Sequence, residues 1–167
     1  MKEFDFETSP STSIEQGQRL LALGLKPDTA DMTWHYMHSL EDYELKNTPF
    51  SSIMHLRDSA NRNSVMGISG DDLFGKGKPA WSLHRLLRMI PDRVMVEIPL
   101  SDLRGGPTFA TCAELAMNNK EMSYRYEDCN DETICLHGCF DDVYTNAVSM
   151  IEWLIKEDRF YKDLLEG

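Results

Sequence analysis

Leu83, Leu86, Leu87 and Ile90 fall at i, i+3, i+4 and i+7, the spacing that lines one face of a helix. Ser82 stands before this run as a cap, Trp81 ahead of it is placed to staple onto Leu86, and Pro91 closes the helix. Arg85 and Arg88 fall off the apolar stripe and are expected to face solvent. An earlier helix is punctuated as clearly. Ser13 followed by Gln16 forms a capping box, Gly24 sits where a left-handed cap residue is wanted, and Leu25 is placed to fold back on Leu20 before Pro27 stops the run. A third helix starts at Asp141 or Asp142, whose charge suits a helix N-terminus, and buries Val143, Ala147, Met150, Ile151 and Leu154.

Between these helices the pattern turns extended. Val94 to Ile98 reads as a strand ending at Pro99, and Phe109 to Met117 is open between strand and helix. Met122 to Asp128 and Thr133 to Phe140 read as a hairpin around Asn130-Asp131. One register puts Tyr126 opposite Cys135, Tyr124 opposite His137 and Met122 opposite Cys139; a slip of one residue brings Ile134, Leu136 and Phe140 inward instead. In 28–56 the pattern predicts a turn at Thr29 to Met32, then a short extended segment over Trp34 to His38, and Pro49 argues against a long helix. The glycines of 57–78 read as a long loop, and residues 1–12 as a flexible arm. The order implies one α+β domain over 13–167, an antiparallel sheet of about three to five strands with helices packed on one face.

Composition adds the setting. The chain has 167 residues, 41% hydrophobic and 27% charged, with a formal net charge of −11. That length suits a single domain with an ordinary core, and that usage excludes wholesale disorder. No apolar run approaches a membrane span, and the acidic start offers no signal core, so a soluble cytoplasmic protein is expected. The acids concentrate in 114–167, whereas Lys76, Lys78, Arg85, Arg88 and Arg93 form a basic stretch. So acidic a chain is a poor nucleic-acid binder, while opposed acidic and basic faces suit a protein partner or a homodimer.

Candidate chemistry is thin. Gly70, Gly75 and Lys76 approach a phosphate-binding loop, but Gly77 stands where a hydroxyl is needed for a magnesium ion, and Asp71 and Asp72 stand where phosphate charge belongs. Cys135, His137 and Cys139 resemble a metal set. On a strand, however, Cys135 and Cys139 lie about 13 Å apart, and one zinc ion cannot hold both. The remaining metal candidates are Cys129, Cys135 and His137; inert buried cysteines are the plainer reading. His35 and His38 read as surface or part-packed histidines, and the tryptophans with Tyr124, Tyr126 and Tyr144 as core. No catalytic residue and no cofactor is assigned. The tail residues Phe160, Tyr161, Leu164 and Leu165 are interaction candidates, packing on the domain or on a second copy.

Three segments carry a resemblance: Thr29-Ala30-Asp31-Met32 after the opening Leu-Leu-Ala-Leu-Gly-Leu run, Pro79-Ala80-Trp81-Ser82-Leu83-His84-Arg85-Leu86-Leu87-Arg88-Met89-Ile90-Pro91, and Ala147 to Ile155. In this order the chain resembles small proteins of gut Bacteroidetes and of their phages, prophages and conjugative elements. The resemblance implies a mobile-element accessory protein and carries over no catalytic residues. The expected function is therefore a non-enzymatic interaction protein. Two alternatives stand beside it: a small-molecule- or metal-binding enzyme with 57–78 as its lid, and an antitoxin-like ββα module formed by the hairpin and the final helix.

Overall fold

The computed structural model describes residues 10–63, 69–99, 108–117, 122–127, 133–135 and 142–166. They fall into two compact units, one formed by Met1–Leu87 with Tyr161–Gly167 and the other by Arg88–Phe160. The fold is α+β, and every strand pairing among the described residues is antiparallel. Its strands are shared between two sheets rather than gathered in one.

In the first unit, α1 (Ile14–Ala22) begins and ends as its sequence dictates. The Ser13 side chain accepts from Gln16 N–H while the Gln16 side chain accepts from Ser13 N–H. At the other end Gly24 adopts φ +87, Gly24 N–H donates to Leu21 O (2.9 Å) and Leu25 N–H to Leu20 O (3.1 Å). This paired bonding satisfies the last helix carbonyls and folds Leu25 back toward Leu20, both wholly buried. Helix α1 approaches strand β3 (Lys78–Ala80) closely at Gly17, where an added Cβ would meet Pro79 O at 2.9 Å.

A three-stranded sheet runs in the order β2-β1-β3, with β1 spanning Met32–Met37 and β2 Asp42–Lys46. Helix α2 (Phe50–Arg62) starts directly after Pro49, and α3 (Gly70–Phe74) packs against it. The loop expected over 57–78 is thus corrected. Residues 57–62 are the second half of α2, and 70–74 are α3. The apolar stripe of α2 contains Phe50, Ile53 and Met54, but its next position is Arg57, so helical periodicity fades while the helix continues. Pro49 precedes this helix as its N-cap and does not break it.

The expected flexible arm is shortened as well. Residues 1–9 lie outside the described residues, but Ser11 and Thr12 are buried, and Ser11 bridges to Ser82. Thr12 N–H donates to Trp81 O (2.9 Å), while Trp81 N–H donates to Thr12 Oγ1 (3.1 Å).

The second unit carries a four-stranded sheet in the order β4-β5-β6-β7: Arg93–Pro99, Thr108–Met117, Met122–Glu127 and Thr133–Cys135. The ambiguous 109–117 segment is strand. Tyr126 pairs with Ile134 and Arg125 with Cys135, so the register with Tyr126 opposite Cys135 is corrected to its one-residue alternative. Period-two alternation makes both registers self-consistent, which is why pattern alone did not choose. The expected pairs of Tyr124 with His137 and Met122 with Cys139 lie outside the described residues.

Helix α4 spans Leu83–Met89 and α5 spans Val143–Lys156. Asp142 caps α5, accepting from Thr145 N–H (2.7 Å). Tyr144, Ala147, Val148, Met150, Ile151 and Leu154 are buried, but Val143, at the cap, is 40% exposed and leaves the expected stripe. Tyr124, fully buried, stacks at a tilt on Trp153 of α5 (5.8 Å) and donates its hydroxyl hydrogen to Pro91 O.

The tail is a test of the cap. Lys26 N–H donates to Leu164 O (3.0 Å), Glu166 N–H to Gly24 O (2.7 Å), and Leu25 bridges Leu165. Gly24→Ala meets open space at Cβ, so its cost is purely conformational, about 1 kcal/mol. Urea unfolding should show that loss, together with faster amide exchange at Lys26 and Glu166, the two donors that tie the tail to the cap; an unchanged midpoint and unchanged exchange would refute the role given to the cap.

Candidate interaction surface

Two of the three segments that carry the resemblance meet in a polar network inside the first unit. Asp31 accepts from Ser82 N–H (2.8 Å) and from the Ser82 hydroxyl (2.5 Å), and Ser82 Oγ in turn caps α4 by accepting from Arg85 N–H (3.1 Å). Arg85 Nε donates to Thr29 O (2.8 Å), and Trp81 Nε1 donates to Thr29 Oγ1 (3.0 Å). A serine beside an aspartate is one ingredient of a nucleophile site, yet here the hydroxyl is committed to a cap and a carboxylate. These residues hold α4 and β3 onto the Thr29–Asp31 turn, and that bonding accounts for both motifs.

The expectation that Arg85 faces solvent is therefore corrected: it is half-buried and held by a carbonyl. Arg88 is exposed, as expected. On the same helix Leu86, Met89 and Ile90 are buried, and Leu83 and Leu87 only half-buried. Phe160 is 6% exposed and belongs to the core. Tyr161 is exposed, while Leu164 and Leu165 are half-buried and tied down by the tail's backbone bonds to Gly24–Lys26. Of the metal candidates, Cys129 and His137 lie outside the described residues, and Cys135 sits in β7 opposite Arg125. Among the described residues no group of three His, Cys, Asp or Glu is placed to hold a metal ion, and no helix is long and apolar enough to cross a membrane.

The glycine-rich stretch resolves into a closed cap. Asp72 N–H donates to Ser69 Oγ (3.1 Å), and Gly70 and Asp71 N–H both donate to Asn61 Oδ1 (2.6 and 3.3 Å). The Asp72 carboxylate accepts from Ser69 N–H and hydroxyl (2.9 and 2.7 Å). The backbone donors a phosphate would need are taken by the chain itself.

Beside this cap lies the surface that sequence reasoning missed. The β1–β2 hairpin places Tyr36 directly opposite Tyr43, so both rings share one face. Their rings meet edge-on at 5.2 Å, and His38 meets Tyr36 edge-on at 5.1 Å. The chain after α3 runs alongside. Lys76 Nζ lies 4.2 Å from the Tyr36 centroid, a cation–π contact, and His38 Nε2 donates to Asp72 O (2.8 Å). Phe74 approaches His35 at 6.1 Å, and one ring nitrogen of His35, Nδ1, is buried without a partner among the described residues. At the hairpin tip Leu40 is 71% exposed, held by its N–H donating to Met37 O (3.0 Å), and Glu41 takes φ +52. Leu73 of α3 is 45% exposed. The product is a half-exposed aromatic cluster with one cation seated on it and two leucines exposed on neighbouring elements.

The Ser69 hydroxyl and N–H bonds, with the nearby His38 charge, hold the Asp72 carboxyl below its usual 3.8. A lowered value means the charged carboxylate supports α3 above 3.8, and that support is lost as pH falls through the lowered value. Asp72→Asn removes the titration. The stability difference between wild type and variant should hold at neutral pH and shrink in acid below 3.8; a difference constant across urea titrations into that range would contradict the assignment.

Comparison of the chain with protein-family models, curated proteins and solved structures finds no match.

Proposed function

We propose that the chain is a non-enzymatic accessory protein of a mobile genetic element, acting in the bacterial cytoplasm by binding a protein partner. The observation that carries this reading is the hairpin surface of Tyr36, His38, Tyr43 and Lys76 beside Leu40. Tyrosines already fixed by ring contacts lose little freedom on binding and offer large amphipathic area, the character of binding hot spots. The net charge of −11 favours a protein over a nucleic acid as partner. The resemblance of the three segments supplies the setting. The enzyme alternative loses support with its lid, since α2 and α3 occupy much of 57–78.

Capture from a bacterial host lysate tests the reading. Wild type and the double variant Leu40→Asp/Tyr43→Ala are compared, with circular dichroism to confirm equal folding. A partner retained by wild type and reduced about tenfold or more by the variant is expected. Equal retention would move the contact elsewhere, for instance to the ββα arrangement of β6, β7 and α5, and would overturn the hairpin assignment.

A further inference from the structure

We propose that β4 is a homodimerisation edge: two copies of the chain pair antiparallel through Arg93–Glu97, centred on Met95, and join their four-stranded sheets into one. This edge belongs to the second unit and is independent of the hairpin reading.

Strand β4 ends the order β4-β5-β6-β7, and among the described residues no strand pairs with its outer side. Such an edge presents a row of backbone donors and acceptors to any strand that fits. Val94 and Val96 are buried on its inner face at 6% and 5% exposure, while Met95 between them is 58% exposed. The outer face thus reads Arg93, Met95, Glu97, all exposed.

That row is complementary to itself. In an antiparallel pair with its two-fold axis at Met95, Arg93 of one copy stands opposite Glu97 of the other, Val94 opposite Val96, and Met95 opposite its own copy. Symmetry produces the Arg–Glu pair twice. Side chains directly opposite lie about 5 Å apart at Cβ, where opposite charges attract and like charges repel. Moving the axis to Val96 would set Glu97 against Met95 and Arg93 against Pro99, losing both pairs. The charge pattern therefore selects the occupant, a second copy, and its register together. Pro99, which lacks an N–H, falls beyond the paired stretch.

Of the two charges, only Arg93 has an ion pair of its own within the sheet among the described residues, and it is a weak one. Glu97 pairs in register with Ala110. Arg93 lies 2.7 Å from Glu114, but both side chains are about two-thirds exposed, at 69% and 65%, and such a pair contributes little in water. The guanidinium has donors enough for two carboxylates.

The test is sedimentation of the full chain over a concentration series. Wild type should show a monomer–dimer equilibrium. Arg93→Glu and Glu97→Arg should each weaken it by about tenfold or more, and the combined swap should restore it. A monomer at every concentration, a dimer indifferent to the single reversals, or a folded double variant without rescue would each overturn the proposal. Should the swap fail to fold, Met95→Cys decides: mild oxidation should cross-link it as a dimer well above the wild-type background, and a yield equal to that background would refute the register.

Discussion

Trp81→Ala is expected to lower the stability of the first unit by about 4 kcal/mol. Trp81 is fully buried, and its truncation leaves a cavity that rigid neighbours cannot close. The indole also organises polar groups, because Nε1 donates to Thr29 Oγ1 while the backbone on either side is bonded to Thr12 and, through Ser82, to Asp31. Trp81→Phe separates the two contributions. It keeps a six-membered ring but removes the Nε1 bond and the rest of the indole, so its cost should fall to about 2 kcal/mol. Denaturant unfolding followed by circular dichroism measures both. Equal costs for the two variants would mean that the hydrogen bond, and not the packing, dominates, contrary to the burial argument.

Gly70→Ala is expected to cost about 3 kcal/mol, the upper end for overpacking. An added Cβ would lie 2.0 Å from Arg57 O and 2.9 Å from Arg57 C. These are backbone atoms, so no rotamer change relieves the clash, and α3 must move off α2. That movement would break the Gly70 N–H bond to Asn61 and shift the chain that carries Asp72, Phe74 and Lys76 to the hairpin. Thermal melts should show the loss, and amide exchange should show it centred on α3. A variant as stable as wild type would mean that α2 and α3 do not pack as closely as described.

These two residues mark different limits of legibility. The Trp81 segment was readable as a cap and helix start because those signals are local in sequence. The α1 cap at Ser13, Gly24 and Leu25 was readable for the same reason. The close approach at Gly70 was not, since nothing local says that Arg57 O stands there. Glycines that read as loop punctuation were in part marking tight packing. The division into two sheets was hidden likewise. The pairing of Met32 with Ala80 joins strands far apart in sequence, and short strands such as β3 carry too few residues to show alternation.

The candidate surface on the hairpin was the least readable feature. Tyr36 and Tyr43 meet only through a hairpin whose turn lacks the usual glycine, with Glu41 taking the positive φ instead. Lys76 reaches Tyr36 because α3 steers the chain back to β1. In the sequence alone it belonged to a basic stretch with Arg85 and Arg88, yet Lys76 sits on a tyrosine ring, Arg85 holds a carbonyl and Arg88 is exposed. Similar charges close in sequence have three different environments.

Hydrogen exchange of the chain, free and in complex with the partner captured by wild type, tests the central claim most directly. Binding through the hairpin is expected to slow amide exchange in residues 36–46 and 72–76, and to leave 80–90, already held by the Asp31–Ser82 network, unchanged. Protection confined to 80–90 or to the second unit, with 36–46 exchanging as in the free chain, would contradict it.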